Sequence, residues 1–158
     1  MPEKEEILNF WFKECKPEQW FKKKEDFDQM IENRFSDAIE DAIAGKLDNW
    51  EDTETGCLAL ILLLDQFTRN VFRDTPRAFA GDKRALVLSQ LCCDKDYLAN
   101  PDIHRRQFML MPMMHSENIA VQDTALPLFK KYASEKDYEY AEKHRDIIAR
   151  FGRFPHRN

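Results

Sequence analysis

The sequence predicts an all-α fold of about seven helices in stacked antiparallel hairpins, and three observations carry that prediction. Apolar residues recur at three- and four-residue steps along nearly the whole chain, which is the period of a helix with one buried face. Glycine is scarce, 4 in 158 residues with 7 prolines, too few for the tight turns of an all-β protein. The segments between periodic runs are short, so consecutive helices must pair as neighbours. Hydrophobic residues at 43% and charged residues at 34% exclude a disordered chain. No linker divides the sequence, and residues 1–158 read as a single domain long enough to bury its own core.

The elements follow in order. Glu5 to Glu14 places Ile7, Leu8, Trp11 and Phe12 on one stripe, and Pro17 ends it. Trp20 and Phe21 are expected to fold back on that helix. Asp26 reads as the N-cap of the next, where Phe27, Met30, Ile31, Phe35, Ala38, Ile39, Ala42 and Ile43 form the apolar face and Gly45 supplies a left-handed stop. Thr53 or Thr55 caps a third helix running through Cys57 to about Phe72, apolar all round in its first half and therefore central. Thr75-Pro76 restarts a helix buried through Phe79, Leu86, Leu88 and Leu91. Asn100-Pro101 repeats the device for a helix that is expected to stop near Pro112. Ser116 reads as the cap of the next, with Glu117 in its first turn and Pro127 as a point where that helix kinks or splits. The last helix, about Glu135 to Phe151, turns Tyr138, Ala141, Ile147, Ile148 and Phe151 inward and ends at Gly152.

Charge and cysteines narrow the classes of function. The net charge is −5, yet His144 to Asn158 is +3 before its histidines are counted, which leaves −8 on the rest. An acidic body argues against nucleic acid as a partner. A basic tail suits a small anion, or pairing with that body. The longest apolar run, Cys57 to Leu64, is too short to span a bilayer, so no membrane partner is expected. Cys15, Cys57, Cys92 and Cys93 include no C-x-x-C pair, and adjacent Cys92-Cys93 suits neither an ordinary disulfide nor zinc. With no secretory leader, a cytoplasmic location is expected.

Three polar motifs stand out. Asp65, Arg69 and Arg73, with Asn70, lie at i, i+4, i+8 directly after the apolar run. Either they close an ion-pair network over the core, or the arginines reach a pocket and bind an anion. His115-Ser116-Glu117, with Gln122 beyond, offers an imidazole and a carboxylate to acid–base chemistry or a metal, without the i, i+4 partner of a helical zinc site. His144 and Arg145, then Arg153 and His156 within an Arg- and Phe-rich tail, form a third group suited to cradling a phosphate or to docking the tail. Gly-rich phosphate loops, G-x-S-x-G and H-E-x-x-H are absent from the sequence, and no cofactor is called for.

Taken together, Ile7-Leu8-Asn9-Phe10-Trp11-Phe12, Trp20-Phe21, Leu64-Asp65-Gln66-Phe67-Thr68-Arg69-Asn70, Pro112 to Glu117, His144-Arg145-Asp146-Ile147-Ile148 and Arg150 to Asn158 resemble the DUF924 family, an uncharacterised bacterial-type family. The likeness runs the length of the chain. It implies an all-α, tetratricopeptide-like fold and no established reaction. It also makes the three polar groups the motif positions. Two departures stand beside it: Thr68 occupies a position where the family usually has proline, and the family pattern usually runs on past the Arg-Asn pair at which this sequence stops. A site completed by such residues is expected to be incomplete here.

The leading expectation is a small anionic ligand in an Arg/His-lined pocket. Arg69, Arg145 and Arg153 would hold it, Asp65 and Glu117 would orient them, and Asn70, Arg73, Gln122 and His156 would complete the lining. Whether the protein is an enzyme stays open, with His115, Glu117 and His144 as the candidate acid–base groups. The alternative is a tetratricopeptide-like module for protein partners whose polar motifs lock helices together. A metal-dependent hydrolase built on His115, Glu117 and His144 is a third, weaker reading. Oligomeric state is not addressed by the sequence.

Overall fold

The computed structural model describes residues 3–157; Asn158, the last residue of the tail motif, lies outside them. Among the described residues there is no strand, and the chain forms seven helices. It packs as two compact units, one up to Leu88 and one from Ser89 onward.

In the first unit, α1 (Lys4–Asn9) continues as a wider π segment, Phe10–Glu14. Trp11 is fully buried, stacks on Trp20 with ring centroids 6.0 Å apart and accepts its indole N–H at the main-chain oxygen (2.9 Å). Trp20 thus folds back as expected, whereas Phe21 remains 60% exposed. Helix α2 (Glu25–Ile43) begins at Glu25, with Lys24 rather than Asp26 at the N-cap. It buries Phe27, Ile31, Phe35, Ala38, Ile39 and Ala42 of the stripe read from the sequence, whereas Met30 is 40% exposed and Ile43 half-buried, and Gly45 follows at φ +82° in the left-handed region.

Helix α3 (Glu54–Ile61) is capped by the Thr53 hydroxyl, which accepts from the Gly56 N–H. It runs on through a π segment, Leu62–Phe67, and a last α turn, Thr68–Val71. All residues from Gly56 to Thr68 are buried. The apolar run is therefore the central helix of this unit, with α1 against its first half and α2 against its second. Gly81 explains how the chain returns: a Cβ there would stand 2.3 Å from the Leu64 carbonyl oxygen, so only glycine permits this approach. Pro76–Phe79 makes only a short 3-10 turn, and α4 (Asp82–Asp94) starts after it. Thr75 does not cap; its hydroxyl donates to the Phe72 carbonyl.

The second unit holds α5 (Ile103–Met114), α6 (Ile119–Tyr132) and α7 (Glu135–Phe151), packed in succession. Asp102 caps α5. That helix does not stop near Pro112 but passes through it to Met114. Every residue from Gln107 to Met114 is buried, and this packing outweighs the amide that proline forfeits. Likewise α6 continues through Pro127. Its cap is Asn118, whose side chain accepts from the Ala120 and Val121 N–H groups, not Ser116, so Glu117 stays outside the helix. Helix α7 has the expected bounds, with Ser134 as its cap and Gly152 (φ +71°) as its stop. Phe151 faces outward rather than inward, 51% exposed.

Candidate functional site

The Asp65 group is a product of the central helix. Because α3 is buried through and past its π segment, Asp65 enters the interior fully covered, and a buried carboxylate needs partners. It accepts from the Gln66 amide (2.8 Å), while Arg69 donates to the Asp65 main-chain oxygen (2.7 Å) and lies 3.4 Å from its carboxylate. The same guanidinium grips Asp82, at the start of α4, through two parallel bonds of 2.7 and 3.0 Å. Burial works against the Arg69 charge, yet Asp65 and Asp82 hold it more firmly protonated than usual. Asn70 and Arg73 both turn to Asp28 on α2, Asn70 at 2.9 Å and Arg73 at 2.9 and 3.2 Å. Arg69, Asn70 and Arg73 are spent on carboxylates of their own unit and tie α3 to α2 and α4.

The second unit gathers the other two motifs at one corner. His115 is the C-cap of α5. Three successive carbonyls there are taken by side chains from elsewhere. The Gln122 amide donates to Met114 (2.8 Å) and Ser116 (2.7 Å), and Arg157 donates to His115 (2.9 Å). Gln122 is 1% exposed, and its carboxamide oxygen has no hydrogen-bond partner among the described residues. Glu117, free of α6, accepts the Phe154 backbone N–H at 2.6 Å and lies 4.0 Å from the Arg157 guanidinium. The tail is thereby turned inward. Phe154 is 1% exposed, with the Arg157 guanidinium 4.6 Å from its ring centroid.

Two imidazoles lie against that ring and a third lies beyond. His144 meets Phe154 edge to face at 5.5 Å, His156 lies 5.9 Å from Phe154, and His115 stands 6.4 Å from His144. His144 Nδ1 is 2.8 Å from the Tyr140 carbonyl, which only accepts, so Nδ1 carries the proton and Nε2 holds a lone pair in the neutral ring. Burial depresses the His144 pKa, and His115, His156 and Arg157 push it further down; the Tyr140 bond opposes them. Arg145, one position on, points to Asp123 of α6 (2.8 Å). Arg153 is exposed beside this group in sequence. Among the described residues no three His, Cys, Asp or Glu side chains come together as a metal-binding group.

The sequence reading makes His115 with Glu117 one motif and His144, His156 and the tail another, and it leaves out what brings them together. Phe154 and Arg157 stood in the sequence only as part of a basic, aromatic run, and burial is what separates Phe154 from exposed Phe151. Asp28 and Asp82, which absorb Arg73 and Arg69, carry no local signal at all, being 45 and 13 residues away from their partners.

A profile described as a bacterial protein of unknown function, DUF924, matches residues 7–158. The chain belongs to the DUF924 family. A solved structure of a protein of unknown function from Agrobacterium tumefaciens is similar to this DUF924 chain at 39% identity and a TM-score of 0.92, covering 98% of this chain and 87% of that one. No curated protein matches it. The function of this DUF924 chain is accordingly uncharacterised, and no helix among its described residues is long and apolar enough to cross a membrane.

Proposed function

We propose that this protein binds a small anionic ligand at the corner formed by His115, His144, His156 and Arg157, with the exposed Arg153, next to Phe154 in the chain, reaching the same ligand. The observation that carries the reading is the sign of the charges. Two imidazoles, His144 and His156, and the Arg157 guanidinium lie against one buried phenyl ring with His115 next to His144, and Glu117, a carboxylate near Arg157, is already engaged by the Phe154 N–H. These groups carry positive charge or N–H donors, and an anion is the ligand that both suit. The site is narrower than the set the motifs suggested. Arg69, Asn70, Arg73 and Asp65 serve the fold, Arg145 pairs with Asp123, and Gln122 braces the α5–α6 corner. His144 is the group placed to accept a proton if the ligand is turned over. Cytoplasmic residence fits four cysteines that form no disulfide among the described residues.

Calorimetric titration with phosphate, sulfate, acetate and a nucleotide tests this. Binding that is weakened in Arg153→Ala and unchanged in Arg69→Ala agrees with the proposal. Binding lost in Arg69→Ala with the fold intact contradicts it.

The second reading, a tetratricopeptide-like module for a protein partner, is favoured by the way Arg69 and Arg73 are consumed by carboxylates, as a purely structural network would be. A fully inert His/Arg corner in the same titration would turn the account toward it.

A further inference from the structure

Helix α7 carries two apolar faces, and its own unit covers only one of them. Ala141 and Ile148 are buried on the first. On the second, Tyr140, Ile147 and Phe151 form a strip with the half-buried His144 between them, at steps of four, three and four residues. Tyr140 is 46% exposed and Phe151 51%, and the strip runs about 17 Å along the helix. That spacing is the seam by which one helix packs along another. One edge of the strip merges with buried Ala141 and Ile148. The open edge is a row of exposed cations seven residues apart, Lys136, Lys143 and Arg150. Glu139 and Asp146 stand four positions before Lys143 and Arg150, the ordinary spacing of an ion pair within a helix. Among the described residues neither pair forms. Lys143 lies over the Tyr140 ring instead, 5.5 Å from its centroid, Arg150 lies 5.0 Å from that of Phe151, and Asp146 turns to Arg145 at 3.8 Å. The cations therefore lean on the apolar strip and carry no carboxylate there.

We infer that this face of α7 docks an amphipathic α-helix of another protein, one whose apolar stripe is flanked by glutamate or aspartate. In a helix pair the residues beside the seam choose the partner by charge, and here they call for carboxylates. The incoming stripe covers Tyr140, Ile147 and Phe151 while its acidic flank meets the three cations. A second copy of the same face does not fit, because two α7 strips laid antiparallel set Lys143 against Arg150. An anionic lipid surface fits less well than an acidic helix. It favours cations along both edges of an apolar face, and Glu139 and Asp146 stand just beyond the single basic row. The inference stands apart from the anion site, since none of its contacts needs an anion in the corner.

The probe is a fluorescein-labelled synthetic helix of three heptads, with leucine along the stripe and glutamate on both flanks. Its twin has lysine in place of every glutamate. Fluorescence anisotropy should show the glutamate helix binding the wild-type protein about tenfold tighter than the twin, with the preference shrinking as salt is added. The double variant Lys143→Glu, Arg150→Glu, changed only at exposed positions, should reverse that preference, an outcome that loss of the fold cannot imitate. The double variant Tyr140→Ser, Phe151→Ser should bind the glutamate helix about tenfold more weakly with its helical signal kept. Equal binding of the two helices to the wild type, or binding of neither, overturns the inference. A wild-type dimer in sedimentation that Phe151→Ser abolishes also overturns it, by making a second copy the occupant. So does binding to phosphatidylserine vesicles that the Tyr140→Ser, Phe151→Ser variant loses, which makes the occupant a lipid surface.

Discussion

At the residue scale, the two arginine populations of this protein do different work, and neighbouring carboxylates decide which. Arg69 has its fork filled by Asp82 and Asp65 and is 20% exposed. Truncating one side of such a pair leaves the other charges covered and uncompensated, so Arg69→Ala should destabilise by about 3 kcal/mol, read by urea unfolding. His144 gives a pH dependence with a definite sign. Its folded pKa lies below the ordinary value of 6.5, so the unfolded chain binds more protons in that window. Stability should therefore fall as pH drops below about 6.5, and His144→Gln should lose part of that slope in melting curves taken from pH 7.5 to 5. Cys15 is a third case. Burial, helped by Glu14, pushes its thiol up to about 12. In the native protein it should resist a disulfide reagent at pH 8, and unfolding should expose all four thiols to the same reagent.

At the element scale, what was legible in the sequence is what local periodicity controls. The stripe of α2, the apolar run of α3, Thr53 as a cap and the bounds of α7 all follow from spacing and cap chemistry. Phe35, fully buried on that stripe, should cost about 3–5 kcal/mol when replaced by alanine. The misreadings cluster where packing overrides a local rule. Pro112 sits inside α5 because every residue of the surrounding turns is buried, and α6 runs unbroken through the exposed Pro127 between buried Ala125 and Phe129. The two π segments, Phe10–Glu14 and Leu62–Phe67, left no sequence signature, although the second one sets how Asp65 is carried into the interior. Asn118 displaced Ser116 as a cap because its longer side chain reaches two amides at once, which frees Glu117 for the tail. Gly81 adds a test of the same kind. Alanine there would collide with the Leu64 backbone, so Gly81→Ala should lower the melting temperature by several degrees, whereas Gly152→Ala meets no atoms and pays only for its positive φ.

At the scale of the whole molecule, we propose that the chain unfolds as the single domain its length suggests. Helix α4 starts in the first compact unit and ends in the second. Trp11, Trp20 and Trp50 all belong to the first unit, so tryptophan fluorescence follows that unit alone while far-ultraviolet dichroism follows every helix. The two denaturation curves should coincide; separate midpoints would make the units independent. The candidate site was half legible at this scale. The sequence placed His115, Glu117, His144, Arg153 and His156 among the motif positions, and the structure brings His144, His156 and Glu117 to a buried Phe154, with His115 beside His144. The Asp65 motif looked equally functional in one dimension. Its carboxylate partners lie on other helices, and only the fold brings them together.

The central claim is that the arginines of the first unit hold the fold while the histidine corner of the second binds an anion. Melting of the wild type, Arg69→Ala and Arg153→Ala, each with and without phosphate at pH 6.5, tests it most directly. Arg69→Ala should melt about 10 °C lower and keep its phosphate shift. Arg153→Ala should melt like the wild type and lose much of a shift that, at 100 times the dissociation constant, is worth about 2.7 kcal/mol. The contradicting result is the reverse pattern, an Arg69→Ala protein that melts normally and no longer responds to phosphate beside an Arg153→Ala protein that still does.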